Sequence, residues 1–192
     1  YATFTNALQA IADGCIDIAD EVGTSKIGKP HTGEDPHYVE SPYSQKSIVD
    51  FYDNIVSCKN ALYGGLGATT PNAKSLIYFC LNSNNSTLKS QAEAVQAKLD
   101  NALAKIDAMK KPFALYYSDS SCGAAIDALG ELDDALETLK TTLSGYAGNA
   151  TVEAQCKVIN ANYVDNVILL TYRTLADNAY KLYQSILDIK TK

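Results

Sequence analysis

Apolar positions near the N-terminus recur at steps of four and three. Phe4, Leu8, Ile11, Cys15, Ile18 and Val22 fall on one stripe, the spacing of a helix that buries one face in a bundle. Gly23 follows and reads as its C-terminal stop. Residues 24–43 contain Pro30, Pro36 and Pro42 with Gly28 and Gly33, which argues against a helix running through the whole stretch. The pattern predicts a long connection there, and loops of that length in compact domains tend to be functional.

A second helix is expected to open at Ser44, whose hydroxyl can cap free N–H groups. Ile48, Phe51, Ile55, Cys58 and Leu62 form its apolar face, and the glycines at 64, 65 and 67 end it. A short helical piece at 74–81 and a turn at 82–86 come next. A long helix then carries Leu88, Ala92, Val95, Leu99, Ala102, Ile106 and Met109 until Pro112. The polar run 118–121 has N-cap chemistry. The helix after it carries Ala125, Leu129, Leu132, Leu136, Leu139 and Leu143. A boundary falls at 145–149, and a final helix should run to the end with Leu175, Ala179, Leu182, Ile186 and Ile189 on its late stripe. No segment alternates as a strand would. The fold class expected is therefore all-α: an up-and-down four-helix bundle over 1–148, with its long loop at 24–43, plus one surplus helix over 149–192.

Composition agrees with a packed domain. Hydrophobic residues make up 46% of 192 positions and charged residues 20%. At this length roughly 70% of the unfolded surface can be buried, so a core needs no staples. The net charge of −6 argues against a nucleic-acid partner, which would meet a basic face. No apolar run in the chain approaches the length needed to span a membrane. The five cysteines, Cys15, Cys58, Cys80, Cys122 and Cys156, include no CxxC pair. They read as small buried hydrophobes. The chain opens on Tyr1 rather than Met and is expected to be part of a longer protein.

Two constellations carry chemistry. The first is in the loop, where the chain's only two histidines, His31 and His37, stand with Glu34, Asp35 and Glu40. Imidazole with carboxylate suits zinc, iron or manganese. The spacing matches no established metal motif, and solvated loop polarity is the competing reading. The second is on the helix after the loop. Ser47, Asp50 and Asn54 share one face, about a quarter-turn from the apolar stripe. A polar row along the margin of a core is either solvated or covered by another element. Motifs for a P-loop, a serine nucleophile elbow or a helical zinc pair are absent.

The segment DGCIDIADEVGTSKI at 13–27 and the segment VESPYSQKSIVDFYDNI at 39–55 resemble the imelysin-like proteins. So do Asn60, Tyr63 and Gly64, although the spacing from Asn60 to Tyr63 is one residue longer than usual. The resemblance implies a bacterial protein exported to the periplasm or lipid-anchored at the cell surface. It implies two similar four-helix bundles and a link to iron uptake. Members were classed as metallopeptidases of the insulin-cleaving type on the strength of a GxHxxE motif. The resemblance also implies a site between the bundles, and residue by residue it nominates Glu40, Ser41, Ser44, Ser47, Asp50, Asn54 and Asn60. The ligand implied is iron or an iron-linked molecule. The partners implied are the second bundle, in the same protein or as a cleaved polypeptide, and iron-transport components.

Two departures stand out. GxHxxE is absent, since His31 and Glu34 give the HxxE spacing without the leading glycine, and Pro30 and Gly33 oppose a helical pair there. The segment NYVDNVILLTYR at 162–173 resembles the opening helix of the family's first bundle yet comes last, so the order is expected to be circularly permuted. The alternatives to an iron-binding protein are a zinc peptidase and a helical surface module without a site.

Overall fold

The structure, a computed structural model, describes residues 4–145 together with Thr151 and Ala154. Apart from Thr151 and Ala154, the final helix expected over 149–192 lies outside the described residues, and so does the proposed permutation. Four long helices form the body: α1 (Phe4–Asp20), α3 (Ser47–Tyr63), α5 (Ser86–Asp107) and α7 (Ser120–Ser144). Between them lie α2 (Gly28–Thr32), α4 (Leu76–Leu81) and α6 (Phe113–Tyr116). Among the described residues there is no strand, and no helix is long and apolar enough to cross a membrane.

The stripes read from the sequence are the core. Leu8, Ile11 and Cys15 of α1 meet Phe51, Ile55, Cys58 and Leu62 of α3, all buried. The α5 stripe from Leu88 to Ile106 and the α7 stripe from Ala125 to Leu143 complete it. Each long helix packs on the one before and after it, and α7 returns to α1. That adjacency is the one an up-and-down bundle requires. Phe51 and Phe113 pack edge to face with centroids 5.2 Å apart, which seats α6 against α3. The helix starts are capped by short polar side chains: Ser75 accepts from the Tyr78 amide, Asn85 from Thr87 and Leu88, and Asp119 from Ser121.

The first helix does not stop at Gly23. It continues through a π-helical turn, Glu21–Ile27, into α2, and ends at Gly33, whose φ is 80°. The long connection is therefore 33–46, not 24–43, and α3 opens at Ser47 rather than Ser44. Two features explain why the glycines and Pro30 are not breakers here. A Cβ on Gly28 would lie 2.7 Å from the Gly23 carbonyl oxygen, and one on Gly23 would lie 3.3 Å from the Leu129 Cβ. Both glycines thus serve close packing, one within the π turn and one against α7. Pro30 follows the wide π turn and lies in the first turns of α2, where its missing N–H and its ring are tolerated.

Candidate functional site

The loop 33–46 is held down by its own backbone. The amides of Gly33 and Asp35 donate to the carbonyls of Pro30 and Lys29, and that of Tyr38 to Asp35. The Asp35 carboxylate accepts from the His37 amide at 3.0 Å, an Asx turn. Lys29 Nζ lies 5.1 Å from the centre of the Tyr38 ring.

Where the loop reaches α3, five of the nominated residues come together. The Ser47 hydroxyl, buried at the first turn of α3, donates to the Glu40 carbonyl. The Ser41 hydroxyl donates to Asp50 Oδ2 at 2.5 Å. Ser44 donates to the Ser41 carbonyl at 3.3 Å. Ser41 and Gln45 have φ of 53° and 57°, the left-handed region that costs a side-chain-bearing residue about 1–2 kcal/mol. Strained backbone of this kind gathers at functional sites. The turn between them presents Tyr43 fully to solvent.

The polar row on α3 is thus covered over its first half, and the cover is this chain's own loop. Ser47 and Asp50 are engaged by it, while Asn54 lies one turn further on, half-buried. Asn60 has another task. Its carbonyl accepts from the Gly64 and Gly65 amides, and its Oδ1 accepts from the Gly67 amide at 2.8 Å. It locks the turn after α3, in which Gly64 and Gly67 have φ of 73° and 65°.

Glu40, the residue before Ser41, lines a cleft of about 400 Å³ with Glu21, Lys26, His37, Tyr38 and Val39. Lys26 Nζ lies 3.3 Å from Glu40 Oε2 and 3.9 Å from Glu21 Oε1. Glu40 Oε2 is itself shielded from solvent and accepts no hydrogen bond, so Lys26 is its compensation. The cleft carries two carboxylates about one ammonium.

Lys26 and Glu21 were not legible as site residues. They are five apart, a separation that faces across a π turn and not across an α turn. That i, i+5 spacing is the signal that could have found them.

The expected metal group is not assembled. Among the described residues, no three His, Cys, Asp or Glu side chains are grouped so as to hold a metal ion. His31 turns away from the loop, its Nδ1 2.8 Å from the Tyr117 carbonyl oxygen. A carbonyl only accepts, so Nδ1 carries a proton. Glu34 and His37 are exposed, and Asp35 is committed to the turn. The π segment and Pro30 set these directions, and neither follows from loop composition.

The family model for imelysin matches residues 2–157. An imelysin peptidase from Bacteroides ovatus is similar over 97% of this chain and 54% of its own, with 31% identity and a TM-score of 0.81. A protein described as an iron-regulated protein A precursor from Parabacteroides distasonis is similar over 67% of this chain and 38% of its own, with 28% identity and a TM-score of 0.60. The chain thus spans about half the length of the first of these and less of the second. No curated protein matches it.

Proposed function

The chain belongs to the imelysin family, and from that premise we propose that it is an exported protein of iron acquisition. In this reading it binds iron, or a ligand that carries iron, at a surface shared with a second helical bundle. The observation that carries the reading is the Ser41–Asp50 contact on a left-handed backbone turn, directly after Glu40, which lines a cleft with Glu21 and Lys26. Carboxylate and hydroxyl oxygens are the donors a ferric ion prefers. Asp50 and Glu40 would supply negative charge, and Ser41, Ser44 and Asn54 would orient the ligand.

The surface around the cleft supports a partner. Tyr38, Tyr43, Val49 and Tyr52 are exposed along the loop and the outer side of α3. Apolar side chains gathered beside a polar site mark an interaction face. The second bundle is the occupant proposed, with lipid anchorage outside the cytoplasm as its setting and iron-transport components as further partners. Calorimetric titration of the longest natural form of the protein with ferric and ferrous ion tests this. Saturable heat that Asp50→Ala abolishes is expected; no heat above background, together with no effect of Asp50→Ala, overturns it.

The peptidase named in the Bacteroides ovatus structure motivates one further reading, a zinc peptidase. Zinc would need ligands beyond those described here, since a catalytic site takes three protein donors. Peptide hydrolysis lost to a chelator and restored by zinc would favour it.

A further inference from the structure

Cys15 and Cys58 face each other across the seam between α1 and α3. The Cys15 Sγ lies 3.9 Å from the Cys58 carbonyl oxygen, and the Cys58 Sγ lies 3.8 Å from the Cys15 carbonyl oxygen. Each sulfur therefore rests over its partner's backbone, which brings the two side chains alongside one another. Both are free thiols, and both are almost wholly buried. The Cys58 thiol and the loss of water together hold the Cys15 thiol well above its ordinary range. Cys122 has a different surrounding, with its Sγ 3.5 Å from the Tyr116 carbonyl oxygen. Neither thiol of the α1–α3 pair belongs to the loop site, and the pair has no part in the function proposed above.

We propose that Cys15 and Cys58 are a dithiol pair that a disulfide oxidant converts into a cross-link between α1 and α3. The Cys58 thiolate attacks one sulfur of the oxidant, whose S–S bond breaks and releases one thiol. The Cys15 thiolate then attacks the mixed disulfide and expels the second thiol. The protein loses two protons and two electrons, and the oxidant's disulfide becomes two thiols. Because the folded pair is sheltered from solvent, the exchange proceeds as the chain folds or as the seam opens. The closed loop joins positions 43 residues apart, long enough for a cross-link to restrict the unfolded chain strongly.

The test is a refolding of the reduced, denatured chain in a glutathione redox buffer, with the folded chain incubated in the same buffer to equilibrium. Acid quenching, alkylation and a non-reducing peptide map follow. The expected result is a peptide pair linked through Cys15 and Cys58, reached from both directions, with Tm raised by roughly 5–15 °C over the reduced protein. In Cys15→Ala and in Cys58→Ala the oxidised and reduced forms should melt together. Both thiols recovered unlinked at equilibrium would overturn the proposal, and so would preferential linkage of either one to Cys80, Cys122 or Cys156. The peptide map needs no variant, so a substitution that impairs folding leaves the test intact.

Discussion

The carbonyl oxygen of Gly23 lies 2.7 Å from the point that a Cβ on Gly28 would occupy. Real Cβ atoms do not approach backbone oxygen so closely, and the neighbour is backbone that cannot swing aside. Gly28→Ala must therefore distort the π turn, although alanine is the better helix former. We expect a loss of about 1–3 kcal/mol, read as a lower urea midpoint with an unchanged m-value.

That pair of glycines also marks what the sequence could and could not show. The apolar stripes from Leu8 to Cys15, Ile48 to Leu62, Leu88 to Met109 and Ala125 to Leu143 were all legible, because burial imposes a 3.6-residue period on them. Ser47 and Asp50 were legible as a row for the same reason. What covers that row was not. Gly23 carries the same letter whether it ends a helix or lets α7 approach, and Pro30 reads as a breaker unless the π turn before it is known. The direction of His31 and the approach of Ser41 to Asp50 depend on that turn. The carboxylates and histidines of the loop therefore looked like one group in composition and are separate in space.

Ser41 holds a left-handed backbone conformation while its hydroxyl reaches Asp50. Two substitutions separate these roles. Ser41→Ala keeps the strain and loses the hydrogen bond; Ser41→Gly loses the bond and relieves the strain. Ser41→Gly should therefore be more stable than Ser41→Ala by about 1 kcal/mol. Equal stabilities in chemical denaturation would mean that the turn is not left-handed in solution.

Asp133 carries a carboxyl raised above the ordinary carboxylate range. Burial is the chief cause, followed by the charges of Asp20, Glu137 and Asp134, with Lys140 opposing them. Its Oδ1 is shielded from solvent and accepts no hydrogen bond. A carboxyl that holds its proton more tightly folded than unfolded subtracts from stability once it ionises. The loss is complete above the folded value and vanishes below the unfolded one. Asp133→Asn should thus raise Tm near neutral pH, and the gain should fade to nothing below about pH 3.5. A gain that persisted in acid would place its origin in packing and not in charge.

His31 should act as a wedge between α2 and the start of α7. Its Nδ1–H is held by the Tyr117 carbonyl, and its Nε2 lies 3.3 Å from where a Cβ on Gly123 would stand. Gly130, on the same helix, has nothing within 4 Å of its Cβ position. Replacing glycine by alanine inside a helix is worth about 1 kcal/mol where space allows. Gly130→Ala should deliver that gain in full. Gly123→Ala should deliver less, because the new methyl presses on a ring anchored at its other nitrogen. Removing the ring with His31→Ala costs the Tyr117 hydrogen bond, yet it should restore the Gly123→Ala gain. The coupling in this double-mutant cycle is thus expected to be nonzero, with Gly130→Ala and His31→Ala additive as the control.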